Sequence, residues 1–428
     1  MKAKIPEGYK LTEVGVIPDN WKAEKLGELF KFKNGLNAEK KHYGKGIKFI
    51  NILEVIQKIS LLYEDIPGLI SLEPGTIKSN IVQKGDVLFN RTSETQEEIG
   101  LTSVYLDDKE VVFGGFVIRA RPITDSIDHY FSKYGFSSVI VRNQIIKRGQ
   151  GAVRANIGQS DLKEVCIPLP PLPEQKAIAQ SLSDVDALIT ECDRIIAKKR
   201  NTKQGTMQQL LTGKKRLPGF SGKWEMEEFE QVLKVVDGDR GDNYPSNDEL
   251  FGNGYCLFLS ARNVTKEGFK FSECIFITKE KDNLLGKGKL LKKDVVLTTR
   301  GTVGNIAFFD NSVPFENIRI NSGMVILRTE EKNLDNTYLY SFLRSHLFQN
   351  QIDRAVFGSA QPQLTVKGIS KFKIPVSPLA EQKAIAQVLS DMDTEIAALE
   401  QKRDKYKAIK QGMMQELLTG KTRLIGSY

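Results

Sequence analysis

The chain has 428 residues, of which 40% are hydrophobic and 27% charged. This globular composition excludes a disordered tail protein, a collagen-like repeat and a disulfide scaffold. The net charge of +9 favours a polyanionic partner, although a basic surface with no specific partner gives the same balance.

The first residues, MKAKIPEGYK, lack the apolar run of a signal peptide, and no stretch of 18 apolar residues follows anywhere in the chain. The four cysteines form no C-x-x-C pair, and the three histidines have no ligand spacing. We therefore expect a cytoplasmic protein with free thiols, no metal site and no membrane span.

Residues 1–166 carry short β-like runs between turn signals and then one predicted helix over 129–146. The runs are IKFINI, DVLF, TSVYL and VVFGGFVIRA. Together they predict an α+β domain of about 150 residues.

Residues 167–217 predict one long helix. Pro173 follows a proline-rich lead-in and belongs at a helix start, whereas Gly213 stands where a helix would stop. Apolar residues at alternating spacings of three and four form a narrow coiled-coil seam: Leu182, Val185, Ile189, Cys192 and Ile196.

Residues 218–373 repeat the first domain weakly, and residues 374–428 repeat the helix strongly. At a constant offset of 207, segments 167–217 and 374–424 are identical at 29 of 51 positions. The second globular segment has the β-like runs YCLFL, CIFI, DVVLTT, NIAFF and GMVILR, then one predicted helix over 337–352. Two copies of one scaffold with diverged surfaces are suited to recognising two different targets.

A helix of 40 residues with one narrow seam needs a partner. We expect the sister helix to be that partner, and a separate subunit is the alternative. Copies related by a two-fold axis would pack antiparallel. The sequence therefore predicts two tandem pseudo-two-fold repeats, each an α+β domain followed by a long helix, with the helices paired as an antiparallel coiled coil. The predicted boundaries are 1–166, 167–217, 218–373 and 374–428.

Polar and basic residues in the predicted loops are candidates for DNA contact. Arginine can pair with guanine edges, glutamine with adenine edges, and threonine with phosphates. Arg91 and Arg300 follow strands that align with one insertion, and this recurrence favours both. For any single candidate, a solvated side chain is the alternative. The candidates are Arg91, Thr92, Arg148, Gln150, Arg154, Arg262, Arg300, Thr302, Gln361 and Gln363.

Enzyme motifs are weak in this sequence. Gly420-Lys421-Thr422 resembles the end of a phosphate-binding loop, but it closes a helix instead of opening one. Asp19, Glu39 and Lys41 form a nuclease-like set with no counterpart in the second repeat. We expect no catalysis by this chain.

The repeat resembles the specificity subunit of type I restriction–modification systems. The resemblance covers essentially the whole chain and is carried by Glu174-Gln175-Lys176-Ala177-Ile178 with Leu210-Leu211-Thr212-Gly213-Lys214, and by the same motifs at 381–385 and 417–421. The segment Gly358-Ser359-Ala360-Gln361-Pro362-Gln363 also looks like that family, whereas residues 149–156 of the first repeat depart from it.

The resemblance implies two target-recognition domains that each read one half of a bipartite double-stranded DNA site. It also implies helical spacers that dock two methyltransferase subunits, and a restriction and translocase subunit that joins for cleavage. This chain would bind no cofactor, while S-adenosylmethionine, ATP and Mg would belong to the partner subunits. The spacer residues expected to dock subunits are Glu174, Gln175, Ile178, Leu210, Leu211, Glu381, Gln382, Ile385, Leu417 and Leu418. The alternative is a structural adaptor whose two β-rich domains bind proteins on a helical brace.

Overall fold

A computed structural model describes residues 5–151, 154–330, 332–356 and 362–424. Its contacts divide the chain into two compact units. Unit 1 comprises Met1–Asp193 with Gln401–Tyr428, and unit 2 comprises Arg194–Glu400. Each unit therefore combines one globular domain with part of both long helices. The domain boundaries predicted in chain order stay a prediction.

The elements before the first long helix are β1 (Tyr9–Thr12), β2 (Gly15–Pro18), β3 (Lys22–Lys25), α1 (Leu26–Leu29), β4 (Phe30–Asn34), β5 (Tyr43–Ile50), α2 (Ile52–Gln57), β6 (Ser60–Leu61), β7 (Leu69–Ile70), α3 (Pro74–Asn80), β8 (Ile81–Val82), β9 (Val87–Asn90), β10 (Thr92–Ser93), β11 (Thr102–Tyr105), β12 (Val111–Phe113), β13 (Val117–Pro122), α4 (His129–Gly135), α5 (Val139–Arg148), β14 (Ala155–Asn156), α6 (Gln159–Lys163) and β15 (Cys166–Leu169).

The remaining elements are α7 (Leu172–Leu210), β16 (Glu225–Glu228), α8 (Phe229–Val232), β17 (Leu233–Asp237), β18 (Cys256–Leu259), β19 (Val264–Thr265), β20 (Gly268–Phe269), β21 (Phe276–Ile277), α9 (Lys279–Leu284), β22 (Val295–Thr298), β23 (Ile306–Phe308), β24 (Ile318–Ile320), β25 (Met324–Thr329), α10 (Asn336–Leu343), α11 (His346–Val356), α12 (Val366–Ser370), β26 (Lys373–Val376) and α13 (Leu379–Leu417).

The two domains share one sheet topology, as the weak repeat predicted. The order β4-β13-β9-β11 in the first domain corresponds to β17-β25-β22-β23 in the second. A parallel pair, β5 with β12, corresponds to β18 with β24, and β3 with β15 corresponds to β16 with β26. The predicted α+β fold of two tandem repeats is confirmed.

The single helix predicted at the end of each domain is wrong, because two helices occupy each segment. The helices α4 and α5 are separated at Ser138, whose hydroxyl accepts a hydrogen bond from the Val141 N–H (3.4 Å). A serine at this position caps a new helix start, because it satisfies an N–H that has no partner within the helix. The second domain separates α10 from α11 at the equivalent Ser345.

The long helices α7 and α13 pair in opposite directions within each unit. In unit 1, Asp186 and Asp193 on α7 bind Lys410 (2.6 Å) and Arg403 (3.4 Å) on α13. In unit 2, the ion pair Lys199–Glu395 (2.7 Å) continues this antiparallel order. The predicted seam residues are buried or half-buried, so the coiled-coil pattern fixes which face of each helix is covered.

Candidate functional site

The carboxylate of Glu174 anchors the start of α7 in unit 1. It is almost fully buried, accepts a hydrogen bond from the Trp21 indole N–H (2.9 Å), and makes a two-pronged ion pair with Arg423 (2.6 and 2.7 Å). The carboxylate raises the pKa of the arginine by hydrogen bonding. Trp21 belongs to the globular domain, whereas Arg423 follows α13. The Glu174 side chain thus joins the start of α7, the globular domain and the segment after α13.

Unit 2 repeats this anchor with different residue numbers. Glu381 at the start of α13 accepts from the Trp224 indole (3.1 Å) and pairs with Arg216 through two hydrogen bonds (2.5 and 2.6 Å). Arg216 follows α7, so each glutamate is held by the arginine that follows the other long helix.

The glutamine beside each glutamate fixes the helix start to α4 or α10. The Gln175 amide oxygen accepts from the Asp128 N–H (2.8 Å), and its amide nitrogen donates to the carbonyls of Ser126 and Pro170 (both 2.8 Å). Gln382 makes the same three kinds of contact in unit 2, with Asp335, Asn333 and Ser377.

The other spacer residues singled out from the sequence lie in the apolar cores of their own units. Ile178, Leu417 and Leu418 pack in the core of unit 1, and Leu210, Leu211 and Ile385 pack in the core of unit 2. All ten spacer residues are buried among their own chain, which attaches the helices to the domains. Their role in docking other subunits stays a prediction.

The polar candidates of the first domain meet at a small two-stranded ladder. β10 pairs with β14, and the Thr92 hydroxyl donates to the Asn156 side-chain oxygen (2.8 Å). The backbones of Gln150 and Asn156 exchange two hydrogen bonds (2.8 and 2.7 Å), which close the loop that carries Arg154. The side chains of Arg91, Gln150 and Arg154 are exposed around this ladder.

Arg148 differs from these neighbours because its guanidinium is hydrogen-bonded to backbone carbonyls. It donates to the carbonyls of Gln144 and Glu164 (both 3.1 Å) at the end of α5. Cations are stabilising at a helix C-terminus, so this contact supports the loop from within.

Two of the polar candidates of the second domain follow β22. Arg300 and Thr302 are exposed in the loop after this strand, and Gln363 is exposed beside Leu364, whose N–H donates to the Thr299 carbonyl (3.0 Å). Gln361 lies outside the described residues. Arg262, in a short 3-10 helix between β18 and β19, pairs with Glu273 (3.1 Å), and both side chains are mostly exposed.

The alignment that equated Arg91 with Arg300 is wrong. The carbonyl of Arg91 accepts from the Ile157 N–H (3.0 Å), and the equivalent bond in unit 2 joins Leu364 to Thr299. Arg91 therefore corresponds to Thr299 without an insertion, and the recurrence argument for the two arginines fails. Each arginine stays a candidate on its own exposed position.

Sequence reasoning missed Asn156, which organises the first loop, and the arginines of the two anchors. Arg216 and Arg423 are identical residues of the aligned helical segments, and Trp21 and Trp224 recur at offset 203. This recurrence was a usable signal for the anchors. Asn156 left no such signal, because the second domain has Gln363 at the equivalent position.

The described residues contain no group of three or more His, Cys, Asp or Glu side chains able to hold a metal ion. In the nuclease-like set, Glu39 pairs with Lys41 (2.8 Å) in an exposed position, and Asp19 is exposed. None of the helices in the described ranges is long and apolar enough to cross a membrane.

A family described as "Type I restriction modification DNA specificity domain" matches the chain twice, over residues 18–199 and 221–409. The chain belongs to this family. It is a type I specificity subunit with two recognition domains, the recognition component of its system and not the catalytic one.

Two relatives from Methanocaldococcus jannaschii match nearly the whole chain. The type I restriction enzyme MjaX specificity subunit is 28% identical over 98% of this chain and 97% of its own length. The MjaVIII specificity subunit is 23% identical, with coverages of 95% and 94%. The Escherichia coli EcoKI specificity subunit is 22% identical over 46% of this chain and 43% of its own length.

Two solved structures have the same fold. The S subunit of a type I restriction–modification system from M. genitalium superposes with a TM-score of 0.58, at 17% identity, over 97% of this chain and 98% of that chain. A chain from a structural study of complex assembly in the type I system gives 0.58 at 18% identity, over 95% and 99%.

Proposed function

We propose that each recognition domain reads one half of a bipartite double-stranded DNA site, the first through the loops at its small ladder and the second through the loop after β22 and the segment around Leu364. The observation that supports this proposal is that the two domains share one scaffold but differ in the exposed side chains at the same place on it. In the first domain these are Arg91, Gln150 and Arg154, and in the second they include Arg300 and Gln363. Guanidinium and amide groups suit the edges of bases in the major groove.

We further propose that the paired helices set the distance between the half-sites and dock two methyltransferase subunits. Those partners would carry S-adenosylmethionine and methylate adenine, and a restriction and translocase subunit would supply ATP- and Mg-dependent cleavage. This function would place the complex in the cytoplasm, together with the DNA. This chain contributes the recognition surfaces and the spacer.

Duplex binding at several salt concentrations tests DNA reading against the alternative of a protein-binding adaptor. A DNA reader that neutralises phosphates loses affinity steeply, with a log–log slope of about −0.9 per phosphate contact. A flat response would favour the adaptor. The assay uses the full chain with its modification subunits and a random duplex.

Lengthening both helices tests the spacer role. Four residues inserted after Asp193 and four after Glu400 fall at the borders of the two units and should leave the contacts within each unit intact. Four helical residues add about 6 Å, so the gap between half-sites should grow by about one or two base pairs. An unchanged gap in methylation-site mapping would rule out this role.

A further inference from the structure

The structure places a phenylalanine, Phe116, on the surface of the first domain beside Arg91. It is 60% exposed, more than any other aromatic side chain among the described residues. Its backbone carbonyl accepts a hydrogen bond from the Arg91 N–H (2.8 Å), which extends the pairing of Asn90 with Val117 between β9 and β13. Backbones paired in this way lie about 5 Å apart. Phe116 therefore borders the exposed loops of the first domain.

The turn that carries Phe116 is held on both sides by its own domain. It links β12 to β13 and is closed by a hydrogen bond from the Val117 N–H to the Gly114 carbonyl (2.9 Å). From the end of β4, the Gly35 N–H donates to the Val117 carbonyl (3.1 Å). A Cβ at Gly35 would lie 2.0 Å from the Gly114 carbonyl oxygen, so glycine is needed for this close approach. A backbone fixed in this way lowers the entropy cost of a contact made by the side chain.

The second unit makes the same strand contact without a side chain. There the Thr299 N–H donates to the Gly323 carbonyl (2.8 Å), so Gly323 is the counterpart of Phe116. The strand pairing therefore does not require a phenylalanine at this position. Phe116 also lies outside the apolar cores that the described residues of the first unit form. Its ring is thus free to contact a ligand.

The chemistry of a phenyl ring limits what Phe116 can contact on a DNA duplex. The ring can neither pair with a phosphate nor exchange conventional hydrogen bonds with a base edge. In the major groove, the apolar group that a base pair presents is the methyl group at C5 of thymine. Because Phe116 stands directly opposite Arg91, both side chains would meet the same groove. The two residues then combine one polar contact with one apolar contact.

We propose that Phe116 determines part of the specificity of the first domain by packing on the 5-methyl group of one thymine in its half-site. This inference rests on the proposed function, because it needs DNA to lie on the loops around Arg91. The contact identifies a base that hydrogen bonds alone do not read. It belongs to one half-site only, because Gly323 has no side chain to make it in the second domain.

Duplexes with deoxyuridine in place of thymine test this contact, because the deoxyuridine base differs from thymine only in lacking the methyl group. The complex with its modification subunits binds its own mapped site, in which each thymine of both half-sites is replaced in turn. We expect one replacement, in one half-site, to weaken binding about fourfold, the effect of losing one buried methyl group. If the unmodified site is bound specifically and no replacement weakens binding, this proposal is overturned and the proposed function stands. Absence of specific binding to the unmodified site would contradict both.

Substitution of Phe116 assigns the contact to its side chain. Phe116→Ala should bind the thymine and deoxyuridine duplexes of the sensitive position equally. Phe251→Ala removes a phenylalanine of the second unit that is 44% exposed, and it should keep the fourfold difference. Unchanged thermal unfolding checks that both variants are folded. A difference that persists in Phe116→Ala would overturn the proposal. So would weaker binding by Phe116→Ala without any effect of deoxyuridine on the original complex, a result that indicates a ring inserted between base pairs.

Discussion

The two units use equivalent residues to hold their helices and different residues around their exposed loops. Glu174 with Trp21 and Arg423 has the same contacts as Glu381 with Trp224 and Arg216. Around the loops, in contrast, Asn156 of the first domain gives way to Gln363. A fixed attachment leaves the exposed loops, the proposed DNA-reading surface, free to change, because loop substitutions do not touch the anchors.

Breaking one anchor should have the largest effect on stability. Glu174→Ala leaves the half-buried Arg423 without its partner and the Trp21 N–H without an acceptor. We expect a loss of about 3 kcal/mol, because removing one member of a buried ion pair leaves an uncompensated charge. Urea unfolding measures it.

The same substitution in unit 2, Glu381→Ala, should cost a similar amount, whereas Asp184→Ala, on an exposed face of α7, should cost little. The chain has two tryptophans, one at each anchor, so Trp21→Phe leaves Trp224 as a reporter of unit 2. A full effect of Glu174→Ala with none from Glu381→Ala would contradict the equivalence of the anchors.

Replacing the neighbouring glutamine should have a smaller effect. Gln175→Leu removes three hydrogen bonds and leaves the Asp128 N–H unsatisfied. We expect a loss of about 1–3 kcal/mol in free energy of unfolding, again by urea unfolding. Gln180→Leu, on an exposed turn of the same helix, is the control. Equal losses from both substitutions would show that the buried contacts of Gln175 carry no special stability.

Loop substitutions should separate DNA binding from stability. Arg91→Ala should weaken duplex binding by the complex several-fold and, if the side chain contacts a phosphate, reduce the salt slope by about one. Its thermal unfolding should be unchanged. Arg148→Ala should show the opposite pattern, because Arg148 is tied to the carbonyls of Gln144 and Glu164. Unchanged affinity with Arg91→Ala would remove Arg91 from the interface.

The smallest expected effect is on the pH dependence of stability, and it involves Asp186. Burial raises the pKa of this carboxyl, but the hydrogen bonds from Lys410 and Tyr134, together with the charges of Lys410 and Lys133, outweigh burial and leave the pKa below its ordinary value. The resulting stability is present above that ordinary value, about 4, and is lost as the pH falls through the folded pKa.

Asp186→Asn should therefore reduce the acid-induced loss of stability by less than about 1 kcal/mol, because the group is partly exposed. Urea unfolding at neutral and acid pH measures this change. Asp184→Asn is the control and should leave the acid-induced loss unchanged. An identical acid response of the two variants would refute the assignment.

The sequence predicted the repeat architecture well because a helix of this length leaves a periodic seam and recurring end motifs. Leu182 and Ile196 are buried as the seam requires. It failed at Ser138, where a local cap divides a run of apolar residues into two helices. A serine that caps a helix is hard to tell from the other serines of a sequence. The apolar residues on both sides of Ser138 therefore predicted one continuous helix.

The anchors could be predicted only in part from the sequence. The Glu-Gln pairs recur exactly, but recurrence alone could not say whether they face another subunit or their own chain. Burial among Trp21 and Arg423 depends on residues far away in sequence, and only the folded chain brings them together. The loop candidates are less predictable still, because exposed side chains carry no pattern imposed by packing.

Mapping of N6-methyladenine tests the central claim most directly. The chain is co-expressed with its modification subunits, once unchanged, once as Arg91→Ala/Gln150→Ala and once as Arg300→Ala/Gln363→Ala. We predict a two-part methylated motif with a fixed gap, in which each double variant relaxes or loses one half and leaves the other half unchanged. A continuous motif, or the same change from both variants, would contradict the reading of one half-site by each domain.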